Sequence, residues 1–201
     1  MKTETVVINS LGLGINEALA VTEALGAESG LTKKENLHLR LLAEELFGML
    51  SSIAGKIDAD YQIRKEGKRF ELHMKSKVEL TDEMRRQFIS ASTSGKNAAA
   101  KGVMGKIRLL ITDFFLSGPA SSGAASGLAM SFMSAASSTG QSVGADTYLW
   151  SLKQYREDVG NDGKSGEAWD ELEKSIVANI ADEINVKIVG STVEIIIFKA
   201  F

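Results

Sequence analysis

Two adjacent carboxylates, Glu44 and Glu45, are the residues of this chain whose type and setting best suit chemistry. They lie within Leu41–Leu50, where the apolar residues have the spacing of a helix. A carboxylate held on a helix can act as a general base. Adjacent helical residues point about 100° apart, so the two side chains cannot both face one site. At most one of them can therefore be catalytic, and the alternative is that at least one is a solvated surface charge.

A second stretch, from Ser92 to Lys106, suits an anion such as phosphate. Hydroxyls, glycine amides and lysines come together where a helix is predicted to begin, and the helix dipole there favours negative charge. It is not a Walker loop, because Lys106 is followed by Ile107 instead of Ser or Thr. The other interpretation is a capped helix with solvated lysines. The candidate nucleotide-binding residues are Ser94, Gly95, Lys96, Asn97, Lys101, Gly102 and Gly105.

Composition excludes several classes of function. The chain has 201 residues, a formal net charge of −3 and no cysteine, so it has no disulfide, no thiol nucleophile and no Cys metal site. His38 and His73 are too far apart to form a metal-ligand motif. The basic residues around Arg85 have no interleaved aromatics, so we expect no nucleic-acid binding. No signal pattern and no apolar stretch of roughly 18–20 residues is present, which predicts a cytoplasmic protein outside the membrane.

Local signals predict the elements of the first part of the chain. Thr32 followed three residues later by Glu35 is a capping box, which predicts the start of a long helix. Glu66-Gly67-Lys68 is typical of a hairpin turn. Alternation in the second hairpin strand places His73 on the solvent face. The predicted elements are a strand at Thr5–Asn9, helices at Ile15–Leu25 and from Thr32 to about Ile53, and hairpin strands at Asp60–Lys65 and Arg69–Val78.

The rest of the chain contains one compositionally biased segment. Ser117–Gly140 is dominated by Ser, Ala and Gly and lacks the bulk to form a core of its own. Near the end of the chain, Ile195–Phe198 is a continuous apolar run, typical of a strand buried on both faces. The predicted elements are helices at Thr81–Phe88, Ala98–Leu116, Tyr148–Val159 and Trp169–Ile184, a loop at Gly160–Gly166, and hairpin strands at Val186–Val189 and Thr192–Phe198.

This order of elements resembles the GHKL ATPase superfamily, of gyrase and histidine-kinase type. Leu41–Met49 is similar to the helix that carries the family's Glu-x-x-x-Asn box. Ser175–Ile184, with the hairpin to Phe201, is similar to the last helix and strands of the anti-sigma-factor serine kinase branch. The resemblance implies an α+β fold, a two-layer sandwich with a mixed sheet and helices on one face. Residues 1–201 are then one domain, in which 82–165 form an enlarged insertion in the nucleotide-lid region.

The resemblance also assigns roles to residues, and the chain departs from several of them. Glu45 matches the family's general base or water-orienting Glu. Position 49 is Met where the family has the Asn that holds Mg²⁺. A thioether sulfur is a soft ligand, whereas Mg²⁺ takes oxygen. Asp82 matches the Asp that reads adenine but lacks the glycines of that box. For the second glycine box, Lys101–Ile107 and Gly160–Gly166 are both candidates, and the latter lies nearer the expected place.

Two functions remain open from the sequence, beside a third alternative in which the chain shares only the general α/β-sandwich shape and its function is unrelated. The first is a degenerate member of the superfamily that binds a protein partner in regulation and has lost ATPase activity. The second is a nucleotide-binding ATPase or protein serine kinase, with ATP or ADP held by the residues from Ser94 to Gly105. Lys96 and Lys101 would then supply the counter-charge that Mg²⁺ supplies elsewhere. Oligomerisation is compatible with both functions.

Overall fold

The computed structural model describes residues 1–51, 58–78, 102–117, 147–161 and 167–201. These residues form an α+β fold, as predicted. The predicted helix at 81–88 lies outside the described residues, as do 162–166 of the predicted loop Gly160–Gly166 and 118–140 of the Ser/Ala/Gly segment. The first two residues of that predicted loop, Gly160 and Asn161, instead end a helix that runs from Leu152 to Asn161. The elements are β1 (Val6–Asn9), α1 (Ile15–Glu28), α2 (Lys33–Ser51), β2 (Asp58–Glu66), β3 (Arg69–Lys77), α3 (Gly102–Ser117), β4 (Thr147–Ser151), α4 (Leu152–Asn161), α5 (Glu167–Lys174), α6 (Ile176–Ile180), β5 (Glu183–Val189) and β6 (Thr192–Ala200).

The described strands form one open sheet in the order β1-β2-β3-β6-β5-β4. Every pairing in it is antiparallel, so the prediction of a mixed sheet is wrong. The physical reason is the connectivity. The strands of the two tight hairpins, β2–β3 and β5–β6, can only pair antiparallel. The hairpins join through β3 and β6, which also run antiparallel to each other.

One face of this sheet packs against the helices and the other is open among the described residues. A single row of paired residues on the packed face crosses all six strands: Val6, Tyr61, Met74, Ile195, Val186 and Trp150. All six side chains in this row are buried. The neighbouring row on the open face reads Val7, Asp60, Lys75, Glu194, Lys187 and Leu149. A shift of one residue in any strand would exchange the two rows, so burial of the first row specifies the register.

The start of α2 and the β2–β3 turn, both predicted from local signals, are confirmed, whereas α1 continues to Glu28, past its predicted end at Leu25. Thr32 donates its backbone N–H and its hydroxyl to the Glu35 carboxylate, and Glu35 N donates back to Thr32 Oγ1. These hydrogen bonds from Thr32 hold the pKa of Glu35 below its ordinary value. Gly67 adopts φ 59° in the β2–β3 turn, a conformation that glycine reaches without steric cost.

Three predictions in the C-terminal part are wrong. Tyr148–Ser151 belongs to strand β4 and not to a helix, because Trp150 pairs with Val186 in the packed row. The predicted helix Trp169–Ile184 ends at Lys174 and resumes as the short α6, and Ile184 lies in β5. Ser175 interrupts it, since its Oγ accepts a hydrogen bond from Ala178 N.

The third correction concerns Ile195–Phe198, which is not buried on both faces. Ile195 and Ile197 are buried on the packed face, whereas Ile196 and Phe198 are half-buried on the open face. The run is a central strand with one covered face, and its outward residues are partly covered by their neighbours. The guanidinium carbon of Arg69 lies 4.1 Å from the centre of the Phe198 ring. Such a contact shields apolar surface without a second layer of structure.

A buried phenol lies on the packed face of the sheet and makes the stability of the fold sensitive to pH in the alkaline range. Tyr61 is fully buried, its ring meets Phe47 edge to face at 4.8 Å, and its hydroxyl lies 2.7 Å from Thr22 Oγ1. Thr22 donates to Ala18 O, so the Tyr61 hydroxyl is the donor to Thr22. Burial raises the pKa of Tyr61 well above its ordinary value, because the phenolate is poorly solvated there.

This raised pKa predicts a loss of stability at high pH. The unfolded tyrosine loses its proton near pH 10 while the folded one keeps it, so the stabilisation is complete below pH 10 and decreases above it. Above pH 10, the free energy of unfolding is expected to fall by about 1.4 kcal/mol per pH unit. Tyr61→Phe should cost about 1 kcal/mol at pH 8, through the lost hydrogen bond, and should remove this slope. Urea unfolding of the unmodified chain and of Tyr61→Phe from pH 8 to 11 measures this pH dependence. Equal slopes in the two proteins would contradict its assignment to Tyr61.

Candidate functional site

Helix α2 carries Glu44, Glu45 and Met49, and the three side chains have different surroundings. Leu42, Leu46 and Leu50 are fully buried on its packed side. Met49 is 4% exposed and belongs to the same core. Glu45, four residues earlier, is half-buried. Position 49 is therefore a core position occupied by a thioether.

Glu44 has a structural role. Arg40 Nε lies 2.7 Å from Glu44 Oε1, and Arg40 Nη1 lies 2.6 Å from Glu23 Oε1 on α1. One guanidinium thus joins two carboxylates and ties α2 to α1. Each pair is about 40% exposed, so its contribution to stability is small. This arrangement leaves Glu45 as the only member of the adjacent pair that stays a candidate for chemistry.

The start of α3 is where part of the predicted nucleotide-binding stretch lies. Gly102 is the first residue of α3, and Gly105 is buried in its first turn. Val103 N donates to Ser175 Oγ across a distance of 3.5 Å. Ser175 is 8% exposed and also caps α6, so one hydroxyl serves the starts of two helices. Ser94, Gly95, Lys96, Asn97 and Lys101 lie outside the described residues.

Helix α2 packs against both α3 and α6, so the sequence-predicted elements do meet in space. The donor set there does not fit Mg²⁺, which requires oxygen ligands in an octahedral arrangement. Met49 of α2 offers only a buried sulfur. Within the described ranges, no group of three or more His, Asp and Glu side chains is arranged to hold a metal ion. Among the side chains that the structure describes, this helix junction therefore presents no set of oxygen ligands for Mg²⁺.

The open face of the sheet carries polar pairs that the sequence pattern places correctly. His73 lies on this face, as predicted, although its side chain is only 15% exposed. Its Nε2 lies 3.1 Å from the Glu71 carboxylate, and Arg69 Nε lies 3.7 Å from the same side chain. Opposite charges also face each other along the next row, where Lys75 pairs with Glu194. Such alternating pairs stabilise a solvated sheet face.

A short loop at the end of β1 exposes two leucines to solvent. It runs from Asn9 to Gly14, between β1 and α1. Asn9 is 5% exposed, and its Oδ1 accepts hydrogen bonds from the backbone N–H groups of Leu11 and Leu13, both at 3.0 Å. Leu11 and Leu13 nevertheless point to solvent, 77% and 70% exposed. The available signal was Asn at a strand end followed by alternating glycines, a loop-forming pattern.

Comparisons of the chain with protein-family models, with curated proteins and with solved structures find no match. Among the described residues, none of the helices has the length and apolar character needed to cross a bilayer.

Proposed function

We propose that this protein is a regulatory module that binds a protein partner, built on an ATP-binding architecture of the GHKL type that no longer performs Mg²⁺–ATP chemistry. The observation that carries the proposal is Met49, 4% exposed in the core where the resembling family has a Mg²⁺-binding Asn. The proposal includes a cytoplasmic location, the compartment of the signalling proteins that the sequence resembles.

The chemistry of position 49 supports this proposal. In the resembling family, the Asn oxygen holds the ion that bridges the phosphates, so its loss removes the main counter-charge for ATP. A buried thioether cannot replace it, because sulfur binds hard cations weakly. Glu45 is half-buried beside this position and has no metal-bound phosphate to act upon. A helix that once served catalysis would then serve packing alone, and selection would act on the surface that binds a partner.

The competing function is a nucleotide-binding protein whose phosphate contacts come from the stretch that ends at Gly105. One observation favours it: α3, whose first turn contains Gly102 and Gly105, packs against α2, the helix that resembles the family's Asn-box helix. The buried state of Gly105 weakens it, because a phosphate-binding glycine must expose its N–H. The two functions differ in one measurable property, which is binding of ATP or ADP.

A thermal-unfolding titration distinguishes them. The full chain is unfolded with ATP or ADP up to millimolar concentration, with Mg²⁺ and, separately, with EDTA. A ligand at about 100 times its Kd stabilises a fold by roughly 2.7 kcal/mol, a shift that is easily measured. We expect no shift in any condition. A shift would overturn the proposal, and its loss in the Lys96→Ala and Lys101→Ala variants would assign the phosphate contacts to that stretch.

A further inference from the structure

One row of side chains crosses the open face of the sheet with charges that alternate in sign. This row, named here the charged row, takes one residue from each strand: Val7, Asp60, Lys75, Glu194, Lys187 and Leu149. Between its two apolar ends the signs are negative, positive, negative and positive. In the part of the chain that the structure describes, none of these four charged side chains takes part in an ion pair. They can therefore pair with charges on another molecule.

The order of charges in the charged row is complementary to its own reverse. Turned about a two-fold axis that runs parallel to the strands between β3 and β6, a second copy presents this row in the opposite order. Asp60 then faces Lys187 of the second copy, and Lys75 faces Glu194. The apolar ends also face each other. Each of these contacts occurs twice, because a two-fold interface uses the same surface of both subunits.

The neighbouring rows fit the same axis. In the next row Gln62 faces Asn185 of the second copy, and the two side-chain amides can exchange hydrogen bonds. One row farther, Arg64 faces Glu183. The axis therefore adds polar contacts beyond the charged row.

A two-fold axis perpendicular to the strands does not fit. Placed along the charged row, it would set Lys75 against Lys75 of the second copy. Placed along the next row, it would set Lys77 against Arg69 and Asp58 against Glu66. Like charges in contact oppose association. The charge pattern therefore selects the axis that is parallel to the strands.

The open face is large enough for a reversible dimer. Six strands about 4.8 Å apart, each contributing about six residues at about 3.3 Å per residue, cover roughly 600 Å² per copy. The two copies together would bury about 1,200 Å², the lower end of the range for specific interfaces. Ile196 and Phe198 are half-buried in the single chain and lie on the central strand β6, so stacking would remove more of their apolar surface from water.

We propose that this protein forms a symmetric dimer in which the open faces of two sheets stack with their charged rows in opposite order. The occupant of this face is a second copy of the chain, because the charged row is complementary to itself. The inference goes beyond the proposed function and does not depend on it, since self-association requires neither a nucleotide nor another protein.

Sedimentation equilibrium of the full chain, at about 100 μM and low salt, tests the dimer. We expect a species of twice the chain mass that dissociates as salt is raised, because its charge pairs are near solvent. Asp60→Lys and Lys187→Asp, each alone, should weaken dimerisation roughly 100-fold, since both set like charges against each other twice. An equimolar mixture of the two variants should dimerise again, because every facing pair at these positions then has opposite charges.

The matched controls make the same charge changes at exposed residues of the helical layer. Glu28→Lys on α1 and Lys34→Asp on α2 should each dimerise as the unmodified chain does. A monomeric unmodified chain would overturn the inference whatever the variants do. A dimer that both single variants retain would place the interface elsewhere, and a mixture of the two folded variants that stays monomeric would refute the facing of Asp60 and Lys187. Circular dichroism of each variant verifies that it is folded.

Discussion

Gly14→Ala is expected to lower the free energy of unfolding by roughly 3 kcal/mol or more, a large part of the total for a domain of this size. Two costs add. Gly14 has φ 76°, a left-handed conformation that costs an alanine about 1–2 kcal/mol. The new Cβ would also lie 2.1 Å from the backbone oxygen of Val7, so the loop from Asn9 to Gly14 would have to separate from β1. Urea unfolding, with fluorescence as the signal, measures the change.

Gly30→Ala is the matched control for this substitution. Gly30 has φ 78°, almost the same backbone conformation, but nothing lies within 4 Å of the position that a Cβ would take there. It ends α1 with a Schellman pattern, in which Leu31 N donates to Gly26 O and Gly30 N donates to Ala27 O. We expect Gly30→Ala to cost only about 1 kcal/mol. Equal losses in the two variants would show that backbone conformation alone, and not contact with β1, explains the glycine at position 14.

The second large effect is expected for Met49→Asn, which restores the residue type of the resembling family. A carboxamide at a position that is 4% exposed would lose its hydration, and the apolar contacts of Met49 would be lost as well. We expect the free energy of unfolding to fall by roughly 3 kcal/mol or more, with no gain of Mg²⁺–ATP binding. Urea unfolding and a Mg²⁺–ATP titration of the variant measure the two quantities.

Met49→Leu is the control for this substitution, because it changes the side chain at position 49 without introducing a polar group. A swap between two apolar side chains of similar volume should cost less than about 1.5 kcal/mol. If the Asn variant were as stable as the Leu variant and also bound Mg²⁺–ATP, position 49 would face a nucleotide pocket. The proposal that this helix now serves packing would then fail.

The candidate site could be anticipated from the sequence only in part. The identity of Met49 and its conflict with Mg²⁺ chemistry are visible in the sequence, but its burial is not. Arg40 is 17 residues from Glu23, so its role in holding Glu44 depends on how α1 and α2 pack. The exposure of Leu11 and Leu13 was equally hidden, because a sequence does not show that a loop directs its apolar side chains away from the core.

Elements with short-range signals were determined by the sequence itself. The capping box at Thr32 and Glu35 and the turns at Gly67 and Gly190 involve groups within a few residues, so local chemistry is sufficient. Tertiary structure decided the rest. Tyr148–Ser151 became a strand through pairing with β5, and Ile196 faces outward because the described helices cover one face of the sheet. Both outcomes depend on partners that are distant along the chain, which periodicity within a single segment does not report.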